Sequence, residues 1–147
     1  MEIRDLAVTD EAEWRSLWSA YLEFYGARVS EKVYETTFAR LTGTASQDFD
    51  GKVAVRDGHL VGLVHFLSHR HCWRVENVIY LQDLYVAPDA RGIGAGRRLI
   101  KAVYASGDAA ATPTVYWLTQ DFNEGARKLY DQVAELTPFI KYQRAAP

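Results

Sequence analysis

The chain has 147 residues, 48% of them hydrophobic and 13% aromatic, with a formal net charge of −2. That is the size of one domain with a real core; the composition argues against disorder, and the slight acidic excess without a basic run argues against a dedicated nucleic-acid binder. Cys72 is the sole cysteine, no apolar run reaches the length of a membrane span, and the first twenty residues carry no apolar signal core, so a cytoplasmic protein without a disulfide framework is expected.

Glu2 to Val8 reads as a first strand. Asp10 with Glu13 three residues on has the capping-box pattern, and Trp14, Leu17, Trp18, Tyr21, Leu22 and Tyr25 then recur at helical steps up to Gly26. Ser30 can cap a second helix through Val33 or Tyr34, Phe38 and Leu41, ending at Gly43. Thr44 to Asp50 is polar and loop-like. Lys52 to Arg56, Asp57-Gly58 and His59 to Ser68 make a hairpin, because an Asp-Gly pair suits a two-residue turn. His69 to Arg74 is a turn, and Val75 to Val86 a fourth strand.

Pro88 ends that strand, since proline cannot donate to a sheet ladder. Arg91-Gly92-Ile93-Gly94-Ala95-Gly96 follows and opens a helix carrying Leu99, Ile100 and Val103. A strand passing through glycines into a helix gathers unpaired amides at the positive end of the helix dipole, which suits phosphate. The spacing is not that of a dinucleotide site: from Gly92 the last position is Arg97, and from Gly94 it is Leu99. The P-loop ending is absent too. The helix crosses over to a fifth strand, Thr114 to Thr119, so the sheet is mixed. Asn123 to Val133 is a last helix with Ala126, Leu129, Tyr130 and Val133 on one stripe, capped by Asp121 or Asn123. Phe139 to Gln143 is a final strand. Residues 1–147 make a single domain.

Arg91-x-x-Gly94-x-Gly96, after a strand ending Leu84-Tyr85-Val86, resembles the pyrophosphate-binding motif of the GCN5-related N-acetyltransferases, which hold acetyl-CoA. YLQDLYVAPDARGIGAGRRLI and VYWLTQDFNEGARKLYDQV are similar to the histone and polyamine branch, and to the diamine acetyltransferases. The resemblance implies an α/β (α+β) fold with a mixed, mostly antiparallel sheet of about six to seven strands flanked by about four helices. It also implies that Leu84, Tyr85 and Val86 offer backbone groups to the pantetheine and the acetyl carbonyl, beside a bulge that parts the fourth strand from the fifth. Arg91, Gly92, Ile93, Gly94, Ala95, Gly96 and Arg97 would wrap the pyrophosphate. Asn123 would contact the pantetheine, and Tyr130 would protonate the departing thiolate. The helix connection with Tyr21, Glu23 and Tyr25 would border the acceptor, and the final strand would serve a homodimer.

The implied reaction is direct attack of an amine on a thioester. An alkylammonium of pKa ~10.4 must first lose a proton, at about 4–5 kcal/mol at pH 7. The diamine enzymes carry a glutamate where this chain has Gln82, which accepts no proton usefully. Asp83 and Glu23 are then the leading groups for the amine, with Glu76 and His65 behind them. Strand neighbours face opposite ways, so Asp83 need not inherit the role. His65, His69, His71 and Cys72 lack a second spaced pair, so no metal is expected. A small amine such as a polyamine or amino acid is the expected acceptor. Protein lysine, or a non-catalytic acyl-CoA-binding role, are the alternatives.

Overall fold

The computed structural model describes residues 1–44 and 48–147. Among them, one sheet runs in chain order: β1 (Glu2–Asp5), β2 (Asp50–Arg56), β3 (His59–His69), β4 (Val78–Val86) and β5 (Val115–Tyr116). β1 to β4 pair antiparallel and β5 joins β4 parallel, the mixed sheet that a helical crossover dictates. Four α-helices flank it: α1 (Glu11–Phe24), α2 (Glu31–Leu41), α3 (Ala95–Ala109) and α4 (Glu124–Val133). Between β2 and β3, Asp57 and Gly58 take φ of 53° and 79°, the left-handed pair a tight hairpin turn requires.

Each sheet face has its own core. On one, Val64, Phe66, Ile79 and Leu81 pack against Leu99, Ile100 and Val103 of α3, with Leu129, Tyr130 and Val133 of α4 at its margin. On the other, Val53, Leu60 and Leu63 pack against Trp14, Leu17 and Trp18 of α1 and Phe38 and Leu41 of α2. Burying each such side chain contributes about 1.5–3 kcal/mol. The aromatic stripe of α1 changes character along its length. Trp14 is fully enclosed, stacked on Trp18 at 5.2 Å and against Phe38 at 5.0 Å, whereas Tyr25 at the far end is 40% exposed. One end of that helix is core and the other is wall.

Several expectations change. β1 stops at Asp5, because a 3-10 turn over Val8–Asp10 follows. The capping box of Asp10 and Glu13 does not form on α1. Asp10 accepts the Ala7 amide at 2.8 Å and both guanidinium arms of Arg4 at 2.7 and 2.9 Å, while Glu13 accepts the Leu60 amide at 3.0 Å. A charge-assisted fork outcompetes a helix cap for that carboxylate. Ser30 stands at the N-cap of α2 without a side-chain bond. Of the loop expected over Thr44–Asp50, residues 45–47 lie outside the described residues, and β2 already opens at Asp50. β4 begins at Val78, since Val75 is exposed within the preceding turn.

The sheet has five strands among the described residues, where six to seven were expected. Phe139 to Gln143 forms no strand: Phe139, Ile140 and Tyr142 are 77%, 77% and 90% exposed, and the two-residue β5 offers them little edge to pair with. No helix among the described residues is long and apolar enough to cross a membrane.

Candidate active site

β3 borders β4 along its whole length, but β5 meets β4 only at Ile79–Val115 and Tyr80–Tyr116. Beyond Tyr80 the outer edge of β4 has no strand partner among the described residues, which leaves that edge open as a candidate cleft. The pairing with β3 is irregular in the same stretch. His65 pairs with Asp83 and the adjacent Phe66 pairs with Leu81, leaving Gln82 as the extra residue of a bulge. A bulge bends its strand and sharpens the twist. It also resets which side chains share a face. Ile79 and Leu81 pack toward α3, and strict alternation would send Asp83 after them. The extra residue turns Asp83 to the α1 face instead, beside His65.

There Asp83 enters a buried chain of polar groups. Trp14 donates its indole Nε1–H to His65 Nε2 at 2.9 Å, and His65 Nδ1 lies 2.8 Å from Asp83 Oδ2. An indole nitrogen only donates, so Nε2 must accept and Nδ1 must carry the hydrogen. Trp18 donates to the same Oδ2 at 3.3 Å. His65 is 3% exposed, so its two ring nitrogens have no solvent to fall back on.

Tyrosines ring this carboxylate. Burial pushes the phenols of Tyr21, Tyr25 and Tyr80 above their ordinary value, and the negative charge of Asp83 adds to it in each case. Tyr21 meets Tyr25 at 5.1 Å and the edge of Tyr85 at 6.2 Å. Tyr130 closes the ring from α4, packed on Trp117 at 5.3 Å. Burial, and to a lesser degree Tyr25, pushes its phenol up to about 12, so it holds its proton throughout the neutral range. Among the described residues its hydroxyl makes no hydrogen bond.

The glycine loop follows the C-terminal end of β4, and its make-up is mostly backbone. Gly92 and Gly94 have φ of 80° and 83°, and a Cβ on either would meet no heavy atom within 4 Å, so both face open space. Among the described residues the amides of 92–97 donate to no acceptor; the first helical bond of α3 runs from Arg98 to Gly94 at 3.0 Å. Ala95 and Gly96 begin α3, Ile93 is exposed, and no acidic residue occupies the first turn. Arg91 bonds the Val86 carbonyl through Nε at 3.0 Å and lies over the Tyr85 ring at 5.7 Å, while Arg97 bonds Gln132. Free amides at a helix start, glycines leaving room and arginines nearby fit the pyrophosphate of acetyl-CoA. Asn123 sits at the N-cap of α4 with no side-chain cap bond, which leaves its amide available. Leu84 and Val86 pack toward α3 and Tyr85 toward α1, so at this edge the strand offers the cleft its main chain.

Other candidates lie elsewhere. Glu23 is exposed; two residues from both Tyr21 and Tyr25, it points away from the face they share. Gln82 is exposed on the bulge. Glu76 faces Arg74 at 3.8 Å on the turn before β4. His69 bonds Tyr116 at 2.8 Å, and no group of three His, Cys, Asp or Glu side chains among the described residues is placed to hold a metal. What sequence reasoning missed is the polar work of Trp14 and Trp18, taken as core alone. Their signal was present, since a buried indole N–H usually finds an acceptor. Thr119 Oγ1, past β5, is buried without a partner among the described residues.

A cleft beside a bulged strand, with an open nest of amides at the next helix, is how an acyl-CoA transferase is built. The chain belongs to the acetyltransferase (GNAT) family, whose model matches residues 14–134. It is 38% identical over 144 residues to the D-amino-acid N-acetyltransferase HPA3 of Saccharomyces cerevisiae, covering 97% of this chain and 89% of that one. It is 31% identical over 147 residues to the uncharacterized N-acetyltransferase YhfO of Bacillus subtilis, covering 97% and 95%. Among solved structures, AAC(6')-Iy in complex with a bisubstrate analogue, CoA-S-monomethyl-acetylneamine, superimposes with a TM-score of 0.84 at 18% identity, covering 99% and 98%. The protein is therefore an acetyl-CoA-dependent acyltransferase of the N-acetyltransferase kind.

Proposed function

We propose that the acceptor is the primary amine of a small metabolite, an amino acid ahead of a polyamine. The observation that carries this reading is Asp83: one carboxylate, turned into an aromatic recess by the Gln82 bulge and held by His65 and Trp18. A carboxylate walled by phenol rings suits a compact ammonium group, which gains both charge and π attraction. The likeness to the yeast D-amino-acid N-acetyltransferase supports the amino-acid choice. Arg91, above the Tyr85 ring that meets Tyr21, is a candidate cation for an amino acid's own carboxylate.

Acetyl-CoA supplies the activated acetyl group. Unpaired amides of 92–97 hold its pyrophosphate, Asn123 its pantetheine, and main-chain groups of Leu84 to Val86 orient the thioester carbonyl and stabilise charge developing there. Asp83 receives the ammonium, holds it at the cleft and accepts its proton directly or through water. Tyr130, protonated up to about 12, gives its proton to the sulfur as the carbon–sulfur bond breaks. Much of the rate comes from placing amine and thioester side by side.

CoA release measured across D- and L-amino acids, polyamines, aminosugars and a lysine-rich peptide tests the reading. A strong amino-acid or other small-amine response is expected. Response to the peptide alone transfers the reading to protein lysine, and silence with acetyl-CoA still bound makes it a binding module. We also propose a homodimer joined through Phe139 to Gln143, supported by three large apolar side chains exposed there. Light scattering should give twice the chain mass; a monomer at high concentration overturns it.

A further inference from the structure

We propose that His65 is a positioning residue for acetyl transfer, fixing the Asp83 carboxylate without cancelling its charge. The inference rests on the reading of Asp83 as the group that receives the amine. Three elements contribute one link each: α1 supplies Trp14, β3 supplies His65, and the bulged β4 supplies Asp83. Trp14 is wholly enclosed, so its indole N–H stands at a fixed place and fixes the imidazole in turn. The ring is left with a single hydrogen to donate, from Nδ1 to Asp83 Oδ2.

The direction of these bonds matters chemically. A second hydrogen on His65 Nε2 would face the Trp14 N–H at a 2.9 Å separation, donor against donor, with no solvent to relieve it. The indole thus holds the imidazole neutral. A neutral donor orients the carboxylate and leaves its full negative charge for the arriving ammonium; an imidazolium would have offset it. Both anchoring bonds, from His65 and from Trp18, reach Oδ2, so Oδ1 is the oxygen left to turn toward the tyrosines.

The test is made on the whole chain with acetyl-CoA and the best amine of the panel above. Nitrogen-15 NMR of the imidazoles reads the wild-type protein directly. His65, assigned by the signal missing in His65→Gln, should show a protonated Nδ1 and a bare Nε2, the reverse of the form that predominates in a free imidazole side chain. Trp14→Phe keeps a ring and removes the donor, and should release His65 into mixed forms. His65→Leu should raise the amine KM and lower kcat, for a loss in kcat/KM of roughly tenfold to a hundredfold, as misplacement of a reacting partner costs. Acetyl-CoA affinity should stay within about twofold, since that ligand is held from the glycine loop. His65→Gln, which keeps one donor and one acceptor, should recover much of the loss.

A protonated Nε2 in the wild type overturns the proposal, and so does a folded His65→Leu with unchanged kinetics. Equal failure of the Leu and Gln variants with acetyl-CoA binding lost alongside marks a merely structural residue, and overturns it too. Asp83→Asn separates the two readings. If that variant keeps full activity, Asp83 does not receive the amine and the underlying reading fails, whatever His65 does. If it is inactive while His65→Leu is not, only the positioning role fails.

Discussion

The two parts of the proposed site would recognise their ligands in opposite ways. At the glycine loop, main-chain amides of consecutive residues are left without acceptors among the described residues, and side chains would serve mainly by being absent. Around Asp83 the backbone only sets direction, and recognition comes from side chains on α1, β3, β4 and α4. The first arrangement would read only the phosphates of its ligand and would tolerate little change. The second can be retuned one side chain at a time, which is where a family sharing a cosubstrate can diversify its acceptors.

That contrast can be broken by experiment. The largest expected effect is at Gly94. Gly94→Glu forces an L-residue to φ 83° and sets a carboxylate against the pyrophosphate, so acetyl-CoA binding by calorimetry should be lost. Unaltered affinity would place the phosphate site elsewhere. Next, Asp83→Asn should lower kcat/KM for the amine by about a hundredfold, the low end for a general base, while acetyl-CoA affinity holds. Loss of acetyl-CoA binding there would mean the two parts are not separable.

Tyr130→Phe should cost roughly tenfold in kcat with acetyl-CoA affinity unchanged. Its pH dependence has a definite sign. The neutral phenol is the donor, so its contribution is present below its pKa and lost above it; burial pushes that pKa up to about 12. The wild-type rate should therefore rise with amine deprotonation and show no alkaline fall near 10, the ordinary phenol value. A fall there that Tyr130→Phe abolishes would keep Tyr130 as the donor but overturn its raised pKa; unchanged kcat in Tyr130→Phe would sink the assignment. The smallest effect belongs to Glu23→Gln, expected to leave kcat/KM within about twofold because that carboxylate points away from the recess. A tenfold loss would return Glu23 to the site.

How far each part was legible follows from the same contrast. A strand, two left-handed glycines and a helix start are written within some fifteen consecutive residues, each choice local, and so is the Asp57-Gly58 turn. Family membership and the mixed sheet followed from them. The acceptor part depends on long-range pairing. Nothing in Leu81-Gln82-Asp83 announces that Gln82 goes unpaired; the bulge exists only against His65 and Phe66 on the neighbouring strand. Strand alternation, applied without it, left Asp83 undecided and kept Glu23 in contention. Trp14 and Trp18 were correctly core by spacing, but their acceptors lie 51 and 65 residues away. Phe139 to Gln143 failed for a related reason. A strand pattern states that a segment could pair, and among the described residues Phe139 to Gln143 pairs with no strand.

The bulge makes the pairing of β4 as telling as its letters. A sheet distinguishes its two sides only by odd and even, and between β3 and β4 Gln82 is where the count slips. A relative with the same letters here but no bulge at Gln82 could keep its glycine loop and its helices, yet send its acid to the α3 side and set a leucine where the acceptor waits. Comparing such chains by identity would rank them as near twins. Sorting them by whether that one residue goes unpaired would divide those built to greet a cation from those that are not.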